Sequence, residues 1–182
     1  MTDFNMKVTL LGWWGTFPQG GGATSGVVVE TQEGKFLLDC GSGVLSKYFI
    51  SGNISQLRGV LLSHLHYDHM GDLGSLQYAV NHALRVGLRQ EKLKVYAPLT
   101  PEKMWVAIQY PFTESLPLYD GLSFEIAGAR VTAARVSHTI ECYAFRVEKG
   151  GKTVVYYTDT TYMPENSAFL AGADLLICGA PV

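Results

Sequence analysis

No run of apolar residues in this 182-residue chain is long enough to cross a bilayer, and the stretch Val8 to Leu11 behind Asp3 is too brief and wrongly flanked for a signal peptide. Cysteine is scarce: Cys40, Cys142 and Cys178 are widely spaced, odd in number and form no C-x-x-C pair. That excludes a disulfide framework and a zinc ribbon, and it predicts a reducing, cytoplasmic setting without membrane attachment. Cations are also few. With Lys and Arg at 14 against 16 Asp and Glu, the net charge is -2, which argues against a dedicated nucleic-acid surface but leaves room for a small anionic substrate. Charged residues make up only 16% and hydrophobic ones 47%. This composition excludes general disorder and predicts one sizeable core, with a single domain over 1–182.

What is present divides into a mixed first part and a β-rich second part. Lys7 to Leu11 and Gly26 to Glu30 read as strands around a loop holding Trp13, Trp14 and the triple glycine Gly20 to Gly22. The loop is not a phosphate cradle of the G-x-x-x-x-G-K type, since no Lys-Ser or Lys-Thr follows it. Its two tryptophans belong either to the core or to a substrate wall, and the core is the expected place for side chains of that size. Phe36 to Gly43 is a buried strand ending in turn residues, which puts Asp39 at a strand terminus rather than mid-core. Arg58 to Ser63 and Lys94 to Ala97 are further strands. Leu73, Leu76, Val80 and Leu84 recur at helical spacing, with His82 off that stripe and exposed. Thr100-Pro101 reads as an N-cap followed by proline at the first helical position, opening a helix to about Tyr110. Leu122 to Ile126, Arg130 to Val136, Tyr143 to Glu148 and Lys152 to Tyr157 form a β-meander, and Asp174 to Cys178 is a last apolar strand.

Histidine is rare as well, at 5 residues, yet three of them fall in His64-Leu65-His66-Tyr67-Asp68-His69. Chance would place that pattern in such a chain about once in ten thousand. The six residues sit between a strand and a helical pattern. On a still-extended segment, His64 and His66 point to one side and offer two nitrogens to one ion. Asp68 and His69 come round the bend and can face a second. A catalytic site takes three protein ligands plus water, so another donor must come from elsewhere. His138, just past a strand, is better placed than His82, although a histidine there is often without such a role. Asp159, also at a strand end, either bridges two ions through its two oxygens or forms an Asx turn.

Taken together, these residues resemble the metallo-β-lactamase-fold hydrolases. Asp39-Cys40-Gly41 is similar to their D-x-G strand end, His64 to His69 to their H-x-H-x-D-H signature, His138 to the next ligand and Asp159 to the bridging aspartate. Ser63 to His69 followed by Gly71-Asp72-Leu73-Gly74 looks most like the phosphodiesterase and ribonuclease Z-like branch. The resemblance implies an α+β, αββα sandwich with metals at one edge between two sheets. It implies that His64, His66 and His138 hold one metal, that Asp68 and His69 hold the other, and that Asp159 lies between them. The implied cofactor is a divalent metal, two zinc ions with iron or manganese as alternatives. A metal-bound hydroxide would be the nucleophile and Asp68 would orient it.

Two departures qualify that picture. The family supplies a final histidine, a further strand and flanking helices; this chain has no histidine after His138, so the fold is expected to be incomplete at the C-terminus and the second metal to bind weakly. Apolar surface near Leu175 to Val182 is then expected to be exposed or to associate with another copy. Cys178-Gly179-Ala180 also stands where ribonuclease Z relatives carry His-Glu-Ala, a sequence implicated in catalysis. With no basic surface, this argues against tRNA processing. The expected activity is hydrolysis of phosphodiester bonds in a small or nucleotide-like substrate. Carboxylic ester, thioester or lactone hydrolysis on the same metals is one alternative, and a catalytically impaired binding or oligomerisation module is the other.

Overall fold

A computed structural model of the protein describes residues 5–179. Asp3 and Ala180, which entered the sequence argument, lie outside them. The first sheet runs in the order β1 (Lys7–Gly12), β2 (Gly26–Thr31), β3 (Gly34–Leu38), β4 (Leu57–Leu61), β5 (Leu93–Ala97) and β6 (Thr113–Pro117). Its first three strands are antiparallel neighbours and its last three join in parallel. The second sheet has the order β11-β10-β9-β8-β7, from β7 (Ser123–Ile126), β8 (Ala129–Val136), β9 (Cys142–Lys149), β10 (Lys152–Tyr157) and β11 (Leu175–Cys178). The expected meander is β7 to β10, and β11 returns parallel to β10.

Alternation builds the layers. Val27, Val29, Phe36, Leu38 and Leu61 point from the first sheet into a shared core with Val131, Ala133, Phe145, Val147 and Tyr156 of the second. The intervening Val28, Leu37, Val60 and Val95 face the other way. There they meet Leu73, Leu76 and Val80 of α3 (Leu73–Arg85). Strands β3 and β4 are therefore covered on both faces, which is why they read as continuous apolar runs. The outer face of the second sheet packs on a 3-10 turn, Pro164–Asn166, and a short helix α5 (Ser167–Leu170) through Met163, Phe169 and Leu170.

Several local expectations need correction. Val44–Tyr48 is a helix, α1, which the sequence reading left unassigned. Strand β6 was not anticipated, because Thr-Glu-Ser-Leu-Pro carries almost no apolar signal and is a strand through its pairing with β5. Pro101 is the N-cap rather than the first helical residue of α4 (Glu102–Ala107), which ends well before Tyr110. Thr100 does not cap it; its N–H and hydroxyl donate to Glu141 on the second sheet's side at 2.9 and 2.8 Å. His82 is exposed on α3, as its position off the stripe predicts. Leu175 and Leu176 are 43% and 45% exposed on the edge strand β11.

Candidate metal centre

The motif begins where β4 ends, at the edge between the sheets. His66 is still extended, at φ -76° and ψ 150°, so His64 and His66 alternate to one side while Leu65, 2% exposed, enters the core. A helical turn, α2 (Tyr67–Met70), follows at once. The N–H groups of His69 and Met70 both donate to the His66 carbonyl, at 3.0 and 3.1 Å, and this turn swings Asp68 and His69 round. Neighbouring loops hold it: Ser25 N–H donates to the Asp68 carbonyl at 3.1 Å and Cys40 N–H to the His69 carbonyl at 2.7 Å. Gly41 is required here, since a Cβ would collide with the Asp68 carbonyl and the Thr24 hydroxyl.

Four imidazoles meet at this point. The ring of His64 lies 4.7 Å from that of His66, 4.0 Å from His69 and 4.6 Å from His138. His138 Nε2 is 3.1 Å from His66 Nδ1. Two trios each offer one donor atom within 4.8 Å of the others: His64 with His66 and His138, and His64 with His69 and Asp159. Asp68 belongs to neither trio, its Oδ2 standing 3.6 Å from His69 Nε2, while Asp159 Oδ2 is 3.4 Å away. The shared member of the two trios is thus His64, which the spacing alone did not single out. Asp159 has φ 48°, a left-handed conformation costly for an aspartate, as often found at functional sites.

Behind the cluster is a buried carboxylate. Asp39 sits at the end of β3, as expected, but is 0% exposed. Its Oδ1 accepts Ser63 N–H at 2.7 Å; its Oδ2 accepts the Ser63 hydroxyl at 2.8 Å, Tyr156 OH at 2.7 Å and His69 Nδ1–H at 2.7 Å. Holding the Nδ1 proton leaves His69 Nε2 aimed at Asp159 and the cleft, the arrangement by which a carboxylate fixes an imidazole's tautomer. Ser63 also reaches His64 Nδ1, at 3.0 Å. Sequence reasoning noticed Asp39 and passed over Ser63, Ser25 and Tyr156; only the position of Ser63 directly before His64 offered a hint of its role.

The electrostatics are those of a site short of positive charge. Burial and the neighbouring His69 push His64 down to about 2, so its imidazole is neutral. Burial also lowers His138, against the pull of Asp159. For His69 burial works downward, but Asp39 and Asp159 outweigh it and hold the group up at about 10. Burial would raise Asp159, yet its hydrogen bond and attraction to His69 keep it well below the usual carboxylate range. A divalent cation fits these donors: His64 Nε2 is buried without a hydrogen-bond partner, and His69 carries a positive charge between two carboxylates where a cation would serve. A neutral imidazole and carboxylate oxygens are also the donor types such an ion takes.

A cleft of about 520 Å³ opens beside the imidazoles. Trp13 and Trp14 line it, Trp13 being 71% exposed. The core expectation for Trp13 is therefore wrong: β1 ends at Gly12, and the next residue is already outside both sheets.

Comparison with known proteins places this geometry. Residues 34–181 match the family described as Beta-lactamase superfamily domain. The chain is 34% identical over 173 residues to the Probable metallo-hydrolase YhfI of Bacillus subtilis (strain 168), covering 94% of this chain and 71% of that protein. The crystal structure of YhfI superposes with a TM-score of 0.87 over 95% of this chain and 71% of the other, at 32% identity. Ribonuclease Z of Mycobacterium sp. (strain KMS) is 26% identical over 194 residues, which cover 94% of this chain and 67% of that protein. A diphosphatase from the PhnP family shares the fold, with a TM-score of 0.72 at 18% identity over 95% of this chain and 72% of the other.

Proposed function

We propose, from the premise that this chain belongs to the β-lactamase superfamily and is a metallo-hydrolase, that it cleaves phosphodiester bonds of a small or nucleotide-like substrate. His64, His66 and His138 hold one divalent ion, most simply zinc. His69, Asp159 and Asp68 face a second, weaker place. The observation that carries this reading is that both trios share His64, whose Nε2 is buried without a hydrogen-bond partner. The relatives named ribonuclease Z favour phosphorus over carbon as the centre attacked.

A divalent ion held there supplies Lewis acidity, lowering the pKa of water towards neutrality and stabilising charge on phosphoryl oxygens. The rest is the chain's own work. Asp39 fixes the His69 ring through Nδ1, and Ser63 does the same for His64. Asp68, half-buried at the cleft edge, orients the attacking water and accepts its proton. Trp13 and Trp14 shield one side of the cleft. Among the described residues no lysine or arginine lines it, which supports a small substrate over a polyanionic one. The free cysteines Cys40, Cys142 and Cys178 accord with a cytoplasmic setting, and among the described residues no helix is long and apolar enough to cross a membrane.

The test is metal analysis of protein purified without chelator, together with hydrolysis of bis(p-nitrophenyl) phosphate and p-nitrophenyl acetate. One tightly held ion and turnover of the phosphodiester are expected. Turnover of the acetate alone would move the activity to carboxylic esters, and absence of metal with no turnover would overturn the hydrolase.

A further inference from the structure

The cleft beside the imidazoles is also lined by Trp13 and Trp14, whose chemistry proton transfer and metal binding leave unused. Trp13 is 71% exposed, although a side chain of that size gains much by burial. Its backbone is nonetheless pinned: the N–H groups of Trp13 and Trp14 both donate to the Ala23 carbonyl, at 3.1 and 3.2 Å. Trp14 is half-buried and lies over Gly22, where a Cβ would come within 2.6 Å of its Nε1. Glycine at that position leaves the indole its place. Leu10, Val27 and Ile177 extend this apolar wall.

Two features together identify what the wall takes. A nucleic-acid strand is gripped through its phosphates by lysine and arginine, and among the described residues neither lines this cleft. A single planar group is gripped by stacking on aromatic side chains, which tolerates any π-face. The volume of about 520 Å³ falls in the range of sites for ligands of nucleotide size.

We propose that Trp13 and Trp14 form a stacking subsite for one planar aromatic group, a nucleobase or an aryl ring, carried by a small phosphodiester whose phosphorus lies at the imidazoles. Trp13 is then a specificity-determining residue. The inference rests on the phosphodiesterase reading and names the substrate class for that same site.

Calorimetric titration of the metal-loaded protein with methyl phosphate, phenyl phosphate and adenosine 5′-monophosphate tests it. Phenyl phosphate and the nucleotide should bind about tenfold more tightly than methyl phosphate, the worth of one stacked ring. Trp13→Ala should remove that advantage without changing the affinity for methyl phosphate, and Trp13→Phe should keep most of it. A further gain for the nucleotide over phenyl phosphate identifies a nucleobase as the natural occupant; equal affinity identifies a simple aryl group. The inference is overturned if all three probes bind the parent alike, if none binds, or if the advantage survives in both Trp13→Ala and Trp14→Ala. Calorimetry requires no turnover, so a protein that stacks these monoesters yet leaves bis(p-nitrophenyl) phosphate intact would count against the hydrolase alone. Circular dichroism of each variant confirms the fold, which the exposure of Trp13 leaves undisturbed.

Discussion

Replacing Asp39 by asparagine changes one oxygen to an amide nitrogen and almost nothing in volume, yet it strikes a residue that is 0% exposed and surrounded by donors. Oδ2 accepts from Ser63 Oγ, His69 Nδ1 and Tyr156 OH, and Oδ1 from the Ser63 N–H. Whichever way the amide turns, its NH₂ faces at least one donor. One hydrogen bond to a charged acceptor is lost, about 1.5–3 kcal/mol, and a buried donor is stranded, about 1–3 kcal/mol. The sum expected is about 3–5 kcal/mol of stability. For a domain of this size that lowers the melting temperature by about 10 °C. The measurement is urea and thermal unfolding after chelator treatment, so that metal binding does not enter. Tyr156→Phe, which removes one donor and leaves the carboxylate, should cost only about 1 kcal/mol. In metal titrations Asp39→Asn should also weaken zinc binding by about 10–100-fold, because the His69 ring is no longer held by a carboxylate. If Asp39→Asn unfolds within about 1 kcal/mol of the parent, the carboxylate is not the support claimed for it.

His66→Ala should abolish nearly all hydrolysis of bis(p-nitrophenyl) phosphate, at least about 100-fold, with a melting temperature within about 3 °C of the parent, because a half-buried loop donor supports the metal more than the core; excess zinc should not restore the rate. Gly41→Ala should destabilise by about 3 kcal/mol or more in urea unfolding, since its Cβ would force the Asp68 carbonyl and Thr24 apart; a neutral effect would mean that the loop yields freely. Glu141 is pushed upward by partial burial but more strongly downward by hydrogen bonds from Tyr143 and Thr100, so its pKa lies below the ordinary 4.5. A depressed folded pKa stabilises above the unfolded value and ceases to as pH falls through the folded one. The gap in melting temperature between parent and Glu141→Gln should accordingly be widest above pH 4.5 and close below it, and a gap that grows on acidification would contradict the assignment.

Much of the fold was legible because its signals are local. Strand β10 reads from Lys152 to Tyr157 on its β-branched and aromatic residues after Gly150-Gly151, and the stripe of α3 separates Leu76 and Val80 from the exposed His82. The spacing of His64 and His66 similarly predicts a shared side, because an extended backbone repeats every two residues. Where the outcome rests on partners distant in sequence, nothing local records it. Strand β6 exists through β5, and Trp13 stays outside because, past the end of β1 at Gly12, its N–H is tied to the Ala23 carbonyl. Tyr156 meets Asp39 across 117 residues, and His138 meets His66 across 72. By itself the sequence determined which residue types could hold a cation and on which strand ends they stand. Only the packing of two sheets face to face decided that His64 joins both trios, that Asp39 is sealed behind them, and that two indoles face the cleft, since side-chain direction across an interface depends on register and layer contacts that one strand's pattern does not contain.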